Sequence, residues 1–254
     1  MSRLQKPSHR RFSDPLSAAP DAVQTVREPL ATYLARGDHV SSSMLRRFAA
    51  GLPVLVETFP GSVMGDALHA LLLEPDVFEN HYLALDGSVP AGRRLSEPDA
   101  MRRTWLSTEQ YAALQRAREG IEAWSREPVA QWLRTGRKEL SLYWRDEHGG
   151  AWKARPDCFT DEVIVELKTT YDCRPEAFAG TRVRHGYDLQ AAHYVEAVTR
   201  LTGRRPRFVF VAVEVSAPGA VWVHELPSVA LAAATDELEQ LKARYLAARD
   251  GGRA

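Results

Sequence analysis

The chain has 254 residues, enough for one large or two small domains, and a single broad hydrophobic pattern favours one. Its 33 basic and 33 acidic side chains balance, which excludes a protein that coats nucleic acid by bulk charge, so any DNA contact has to be local. Cys158 and Cys173, the two cysteines, are too few for a disulfide framework or a four-cysteine cluster, and no apolar run approaches the roughly 20 residues of a membrane span or forms a signal-peptide core, so a soluble intracellular protein is expected.

Residues 1–28 mix Pro, Ser, Arg and Gln with few large apolar side chains, and a flexible arm is expected there, followed by one domain over 29–250. Ser41-Ser42-Ser43 followed by MLRRFAAG supplies hydroxyl caps, the apolar Met44, Leu45 and Phe48, and a stop at Gly51, the signature of a short helix. In GSVMGDALHALLLEP, Ser62 can cap a helix whose apolar stripe is Val63, Ala67, Leu68, Leu71 and Leu72, with Pro75 ending it. His69 lies on that helix. A lone histidine in such a setting is more often a packed core residue than a ligand, although Gly65, one turn earlier, leaves room for something beside it.

From Phe78 to Met101 the pattern reads as strand fragments and loop. A long helix then opens at a Ser107-x-x-Gln110 capping box and runs through Leu114, Ala117, Ile121 and Trp124 to the break at Pro128, with a second short helix over 129–134 ending at Gly136. The β-rich centre follows. Leu140, Leu142 and Trp144 alternate with Glu139, Ser141 and Tyr143, and His148-Gly149-Gly150 supplies a turn. Glu139 opens this region either as a solvated edge charge or as a third carboxylate near a cation.

The next stretch, Arg155 to Thr170, carries the chemistry. If 152–159 and 163–169 pair antiparallel around Asp161 and Glu162, Asp157 faces Glu166, and Glu166 and Lys168 share a strand face because side chains alternate. Two carboxylates a cross-strand distance apart, with an ammonium two residues on, suit a hard divalent cation and an activated water. Beyond Thr170 an irregular stretch with Arg174, Arg182, Arg184 and His185 is placed to hold phosphates. The helix 187–201 turns Gln190 and Tyr194 to an otherwise apolar face, where Gln190 either satisfies backbone groups of the sheet or faces a polar cavity. RFVFVAVEV and AVWVHEL, joined at Ala217-Pro218-Gly219, read as a buried strand pair, and SVALAAATDELEQLKARYL as a closing amphipathic helix ending at Asp250-Gly251-Gly252.

Four ordered blocks, GDALHALLLEP, RPDCF, IVELKTT and DLQAAHYVEAV, make the chain resemble the PD-(D/E)xK nuclease superfamily from about Val40 to Leu226. Within it, the resemblance is to the catalytic domain of exodeoxyribonuclease VIII-type phage and prophage recombination exonucleases. That resemblance implies an α/β (α+β) restriction-endonuclease-like core, a central mixed sheet flanked by helices. It implies that Asp157, Glu166 and the Leu167 carbonyl bind Mg²⁺ or Mn²⁺, that His69 reaches the same metal, and that Lys168 positions the attacking water. Gln190 and Tyr194 match a Gln-x-x-x-Tyr element that orients Lys168 or the DNA backbone, and Glu139 corresponds to an upstream acidic residue of related exonucleases.

The implied activity is 5′-to-3′ hydrolysis of linear double-stranded DNA in the cytoplasm of a bacterial or phage-infected cell. It leaves 3′ tails for a single-strand annealing partner, and the enzyme is expected to form a homo-oligomer. Alternatives are another nuclease of the superfamily, such as an endonuclease or a CRISPR-associated iron–sulfur nuclease, against which the two cysteines count, and a non-catalytic DNA-binding or assembly protein that keeps the fold.

Overall fold

The computed structural model describes residues 22–54, 62–84, 103–214 and 220–251. Its centre is a five-stranded mixed sheet in the order β10-β9-β8-β7-β4, where β4 is Arg137–Lys138, β7 Cys158–Phe159, β8 Val163–Thr170, β9 Arg207–Glu214 and β10 Val221–Glu225. Within this sheet only the β8/β9 pair is parallel. Both central strands are buried on both faces, and the alternation of side chains divides them cleanly. Val163, Val165, Leu167, Val209, Val211 and Val213 face a layer made by helices α3 (Val63–Leu73), α5 (Thr108–Ala123) and α6 (Val129–Thr135). Ile164, Phe208, Phe210 and Ala212 face the opposite layer, α2 (Ser42–Ala49), α8 (Tyr187–Thr202) and α9 (Ser228–Gly251). By the same parity Glu166 and Lys168 belong to the α8 face.

A second sheet, β1 (Gln24–Val26), β5 (Ser141–Arg145) and β6 (Ala151–Ala154), is antiparallel throughout. The strand expected over 152–159 is therefore divided. Its first half pairs with β5, with Trp152 opposite Trp144, and its second half pairs with β8, with Cys158 opposite Val165 and Phe159 opposite Ile164. The break falls at Arg155-Pro156-Asp157, where the proline lacks the N–H a continuous ladder requires. The expected hairpin register survives in the second half and brings Asp157 to the level of Glu166.

Local signals predict three helix starts. Ser41, Ser62 and Ser107 accept from the N–H groups of Met44, Gly65 and Gln110, and both halves of the Ser107/Gln110 capping box are present. Val63, expected in the apolar stripe of α3, is instead exposed in its first turn. Pro75 follows α3 as anticipated, but it also starts a further helix, α4 (Pro75–His81), where a loop was expected; proline is well placed at a first helical position. The short β2 (Tyr82–Ala84) pairs in parallel with β3 (Thr104–Leu106), and residues 85–102 of the expected loop lie outside the described residues.

Three expectations change. The flexible arm was drawn to residue 28, yet Gln24–Val26 forms an edge strand on β5, and α1 (Leu30–Ala35) follows; residues 1–21 lie outside the described residues. The stretch after Thr170, read as irregular, contains α7 (Pro175–His185), anchored by the buried Phe178 and closed by Gly186 at φ 62°. Proline at its start and a left-handed glycine at its end are both helix-boundary signals that its many polar residues obscured. Finally, β10 is a half-buried edge strand rather than a fully buried one, and the Ala217-Pro218-Gly219 joint lies outside the described residues.

Candidate active site

Because 155–157 swing away to the second sheet, β8 loses its β7 neighbour beyond Val165, and the sheet opens into a notch at the carboxyl end of β8. Asp157 turns its side chain into that notch, where its Oδ2 accepts the Leu167 N–H at 2.7 Å in place of a strand partner. The register carried one pair further sets Pro156 opposite Leu167. Glu162, an even-numbered residue, sends its carbonyl to Arg207 at the start of β9, so the odd-numbered Leu167 points both its backbone groups to the β7 edge. A proline there has no N–H to return, so the ladder leaves the Leu167 carbonyl facing Asp157 without a donor from that strand.

His69 arrives from α3 on one side of the sheet. Its Nδ1 lies 3.5 Å from Asp157 Oδ1 and 3.8 Å from Glu139 Oε1. At Gly65, one turn earlier on α3, a Cβ would lie 3.0 Å from Ser62 Oγ of the helix's own cap and at an ordinary contact of 3.5 Å from Thr169 Oγ1 of β8, so the space beside it is taken by the cap and the strand. Glu139 comes from the link between β4 and β5, its backbone N–H bound to the Asp157 carbonyl at 3.1 Å. It is no solvated edge charge. Arg155 Nε donates to its Oε2 at 2.7 Å. One donor atom from each of His69, Glu139 and Asp157 falls within 4.8 Å of the others.

From the opposite face come Glu166 and Lys168, 2.8 Å apart, with the Lys168 ammonium 4.6 Å from the centre of the Tyr187 ring. The Asp157 N–H points to Glu166 Oε2 at 3.4 Å. Glu166 stands beside the tight trio rather than within it, its carboxylate turned to Lys168. Gln190 donates to the Tyr194 hydroxyl at 3.1 Å, and Tyr194 is buried close enough to Glu166 and Asp157 for their charge to bear on it.

These charges shift one another. Burial, reinforced by the nearby Glu166, pushes Asp157 up to about 7. Burial opposes the charged form of His69, yet Asp157 and Glu139 overcome it and raise its pKa to about 9. The same competition leaves Lys168 above the ordinary lysine value, with Glu166 and Asp157 outweighing burial. Glu139 is held below the usual carboxylate range because its bonds to His69 and Arg155 outweigh its desolvation.

The donor set fits a divalent cation. Carboxylate oxygens suit a hard ion such as Mg²⁺ or Mn²⁺, and an aspartate forced upward by burial and by a neighbouring carboxylate is relieved by a cation. Two contributors escape a reading of the sequence. Arg155 could have been suspected from its position two residues before Asp157, while Tyr187 signals itself only by lying one turn before Gln190 on the same helix.

A mixed sheet between two helical layers, with Pro156-Asp157 at the break just before β7 and Glu166-x-Lys168 on β8, defines a domain of the PD-(D/E)xK nuclease superfamily. The chain belongs to the family described as a PDDEXK-like domain of unknown function (DUF3799), whose model matches residues 57–254. A crystal structure from Eubacterium rectale, described as a “putative exonuclease”, is similar in fold, with a TM-score of 0.60 at 16% identity, covering 89% of this chain and 88% of that one. No curated protein matches the chain.

Proposed function

We propose that the protein is a divalent-metal-dependent deoxyribonuclease, acting as a 5′-to-3′ exonuclease on linear double-stranded DNA. The observation that carries the hydrolytic reading is the convergence, at the open edge of β8, of His69, Glu139, Asp157, Glu166 and Lys168 from separate segments. The match to a PDDEXK-like family supports a nuclease, and the fold shared with the protein described as a “putative exonuclease” agrees with it. Polarity, the 3′-tailed product, an annealing partner and a homo-oligomeric enzyme rest on the sequence resemblance to exodeoxyribonuclease VIII-type enzymes.

In this reading His69, Glu139, Asp157 and the Leu167 carbonyl, with Glu166 beside them, hold the metal. A bound divalent cation supplies neutralisation of the charge that builds on the phosphate and a lowered pKa for its water. The protein does the rest. Lys168, kept protonated by Glu166 and stacked on Tyr187, places a fixed positive charge beside the attacked phosphate, where it orients the nucleophilic water. Tyr194, tied to Gln190, walls the site on the α8 side.

The test is hydrolysis of linear duplex DNA labelled at one 5′ or one 3′ end, with Mg²⁺ or EDTA. Mg²⁺-dependent mononucleotide release is expected from the wild type and none from Asp157→Ala. Release that persists in EDTA or in Asp157→Ala defeats the nuclease reading; nicking of closed circular duplex in place of end-dependent release replaces the exonuclease with an endonuclease.

A further inference from the structure

Glu139 is the one non-glycine residue with positive φ, at 49°, among the described residues. A glutamate holds such a conformation only where its surroundings over-determine it. Two contacts do so: its N–H binds the Asp157 carbonyl, and its Oε2 accepts Arg155 Nε at 2.7 Å. Arg155 is itself immobilised. Its Nη1 donates to the Ser141 hydroxyl and to the Glu28 carbonyl, each at 3.0 Å, so a single guanidinium joins β5, the segment between β1 and α1, and the β4–β5 link. The Arg155 side chain is 7% exposed, which removes it from contact with a macromolecular substrate. By occupying Oε2, it leaves Glu139 Oε1 turned toward His69 and Asp157.

We propose that Arg155 is a positioning residue that fixes Glu139 as a ligand of the divalent metal, so that the rest of the fold controls metal affinity through one guanidinium. The inference rests on the metal-site reading above and adds to it a residue that never touches the ion. A planar fork suits the task, because it can serve the carboxylate, a hydroxyl and a carbonyl at fixed angles, which an ammonium on a flexible stem cannot do. Outer partners of this kind typically govern affinity by 10- to 100-fold.

A purely structural ion pair would weaken the fold without selecting Glu139, and a double-mutant cycle separates the two roles. Mn²⁺ binding to the full chain is followed by loss of the free-ion paramagnetic resonance signal, with no DNA present, for wild type, Arg155→Lys, Glu139→Gln and the double variant. Arg155→Lys is expected to weaken Mn²⁺ binding about tenfold in the wild-type background. On Glu139→Gln the same change is expected to alter it by less than about twofold, since the group through which it acts is already gone. Should Arg155→Lys not fold, Arg155→Gln completes the cycle. Unchanged Mn²⁺ affinity on replacing Arg155, or an equal loss in both backgrounds, overturns the proposal. A wild type that binds no Mn²⁺ overturns it together with the metal site, whereas one that binds Mn²⁺ indifferently to Arg155 leaves the site standing.

Discussion

At the residue scale the site divides labour between two faces of one strand edge. His69, Glu139 and Asp157 gather on one side as a donor set, and Glu166 with Lys168 faces α8 on the other. Two substitutions probe the division. Lys168→Ala should lower turnover at least about 100-fold, the loss expected for one well-placed charge at a reacting phosphate, while duplex binding measured with Ca²⁺ is largely kept. Parallel loss of binding and turnover would make the lysine a substrate contact instead. His69→Ala should raise the half-saturating Mn²⁺ concentration for cleavage about tenfold or more, and an unchanged metal titration would return His69 to the role of a core histidine. Asp157, Glu166 and Lys168 were legible from motif and strand parity. Glu139 remained ambiguous, because the groups that surround it, Arg155 and His69, come from segments distant in sequence.

At the element scale, the joint between α7 and α8 sets the floor beneath Lys168. Gly186 ends one helix and begins the next at φ 62°, and the following residue, Tyr187, places its ring under the ammonium. A Cβ at Gly186 would come within 2.5 Å of Arg46 Nε, a flexible tip that can move, so the backbone conformation carries the larger penalty. Gly186→Ala should therefore lower stability by about 1–2 kcal/mol in urea unfolding. A change below about 0.5 kcal/mol would show that this joint tolerates an ordinary backbone. Capped helices such as α5 could be read from sequence because a cap lies within four residues of what it caps. The helix α7 could not be read from periodicity, because it buries only Phe178.

At the scale of the whole molecule, buried charge ties the layers together and makes stability depend on pH. The Lys153 ammonium is fully buried and donates to the carbonyls of Tyr33 and Arg36 at 2.8 and 2.6 Å, closing the end of α1 against β6; burial lowers its pKa to about 8. In the site, the folded pKa values of Asp157 and His69, about 7 and about 9, lie above their unfolded values of about 3.9 and 6.5. Groups raised by folding contribute stability at low pH and lose it as pH rises through the folded value. The metal-free protein should thus melt at a lower temperature at about pH 9 than at about pH 6. Glu139, shifted the other way, acts only in more acidic solution, and Lys153, lowered to about 8, opposes the trend above that pH as one group against two. A divalent cation bound at the proposed site would take the place of those protons, so the rise in melting temperature caused by Mn²⁺ should grow with pH and vanish in Asp157→Ala. Differential scanning calorimetry across that range decides it; Mn²⁺ stabilisation that shrinks with pH would contradict the site.

What the sequence by itself determined was local or parity-bound: capped helices at Ser41, Ser62 and Ser107, the shared face of Glu166 and Lys168, the pairing level of Asp157 and Glu166, and the superfamily. Such features depend on residues a few positions apart, or on the two-residue repeat of a strand. Tertiary structure alone decided that the strand through Pro156 divides between two sheets, that the resulting break leaves the Leu167 carbonyl without a β7 donor, and that α3 and the β4–β5 link bring His69 and Glu139 to Asp157. Those outcomes depend on which strand each half of the chain pairs with and how helices pack across the sheet, contacts between residues far apart that no local pattern encodes.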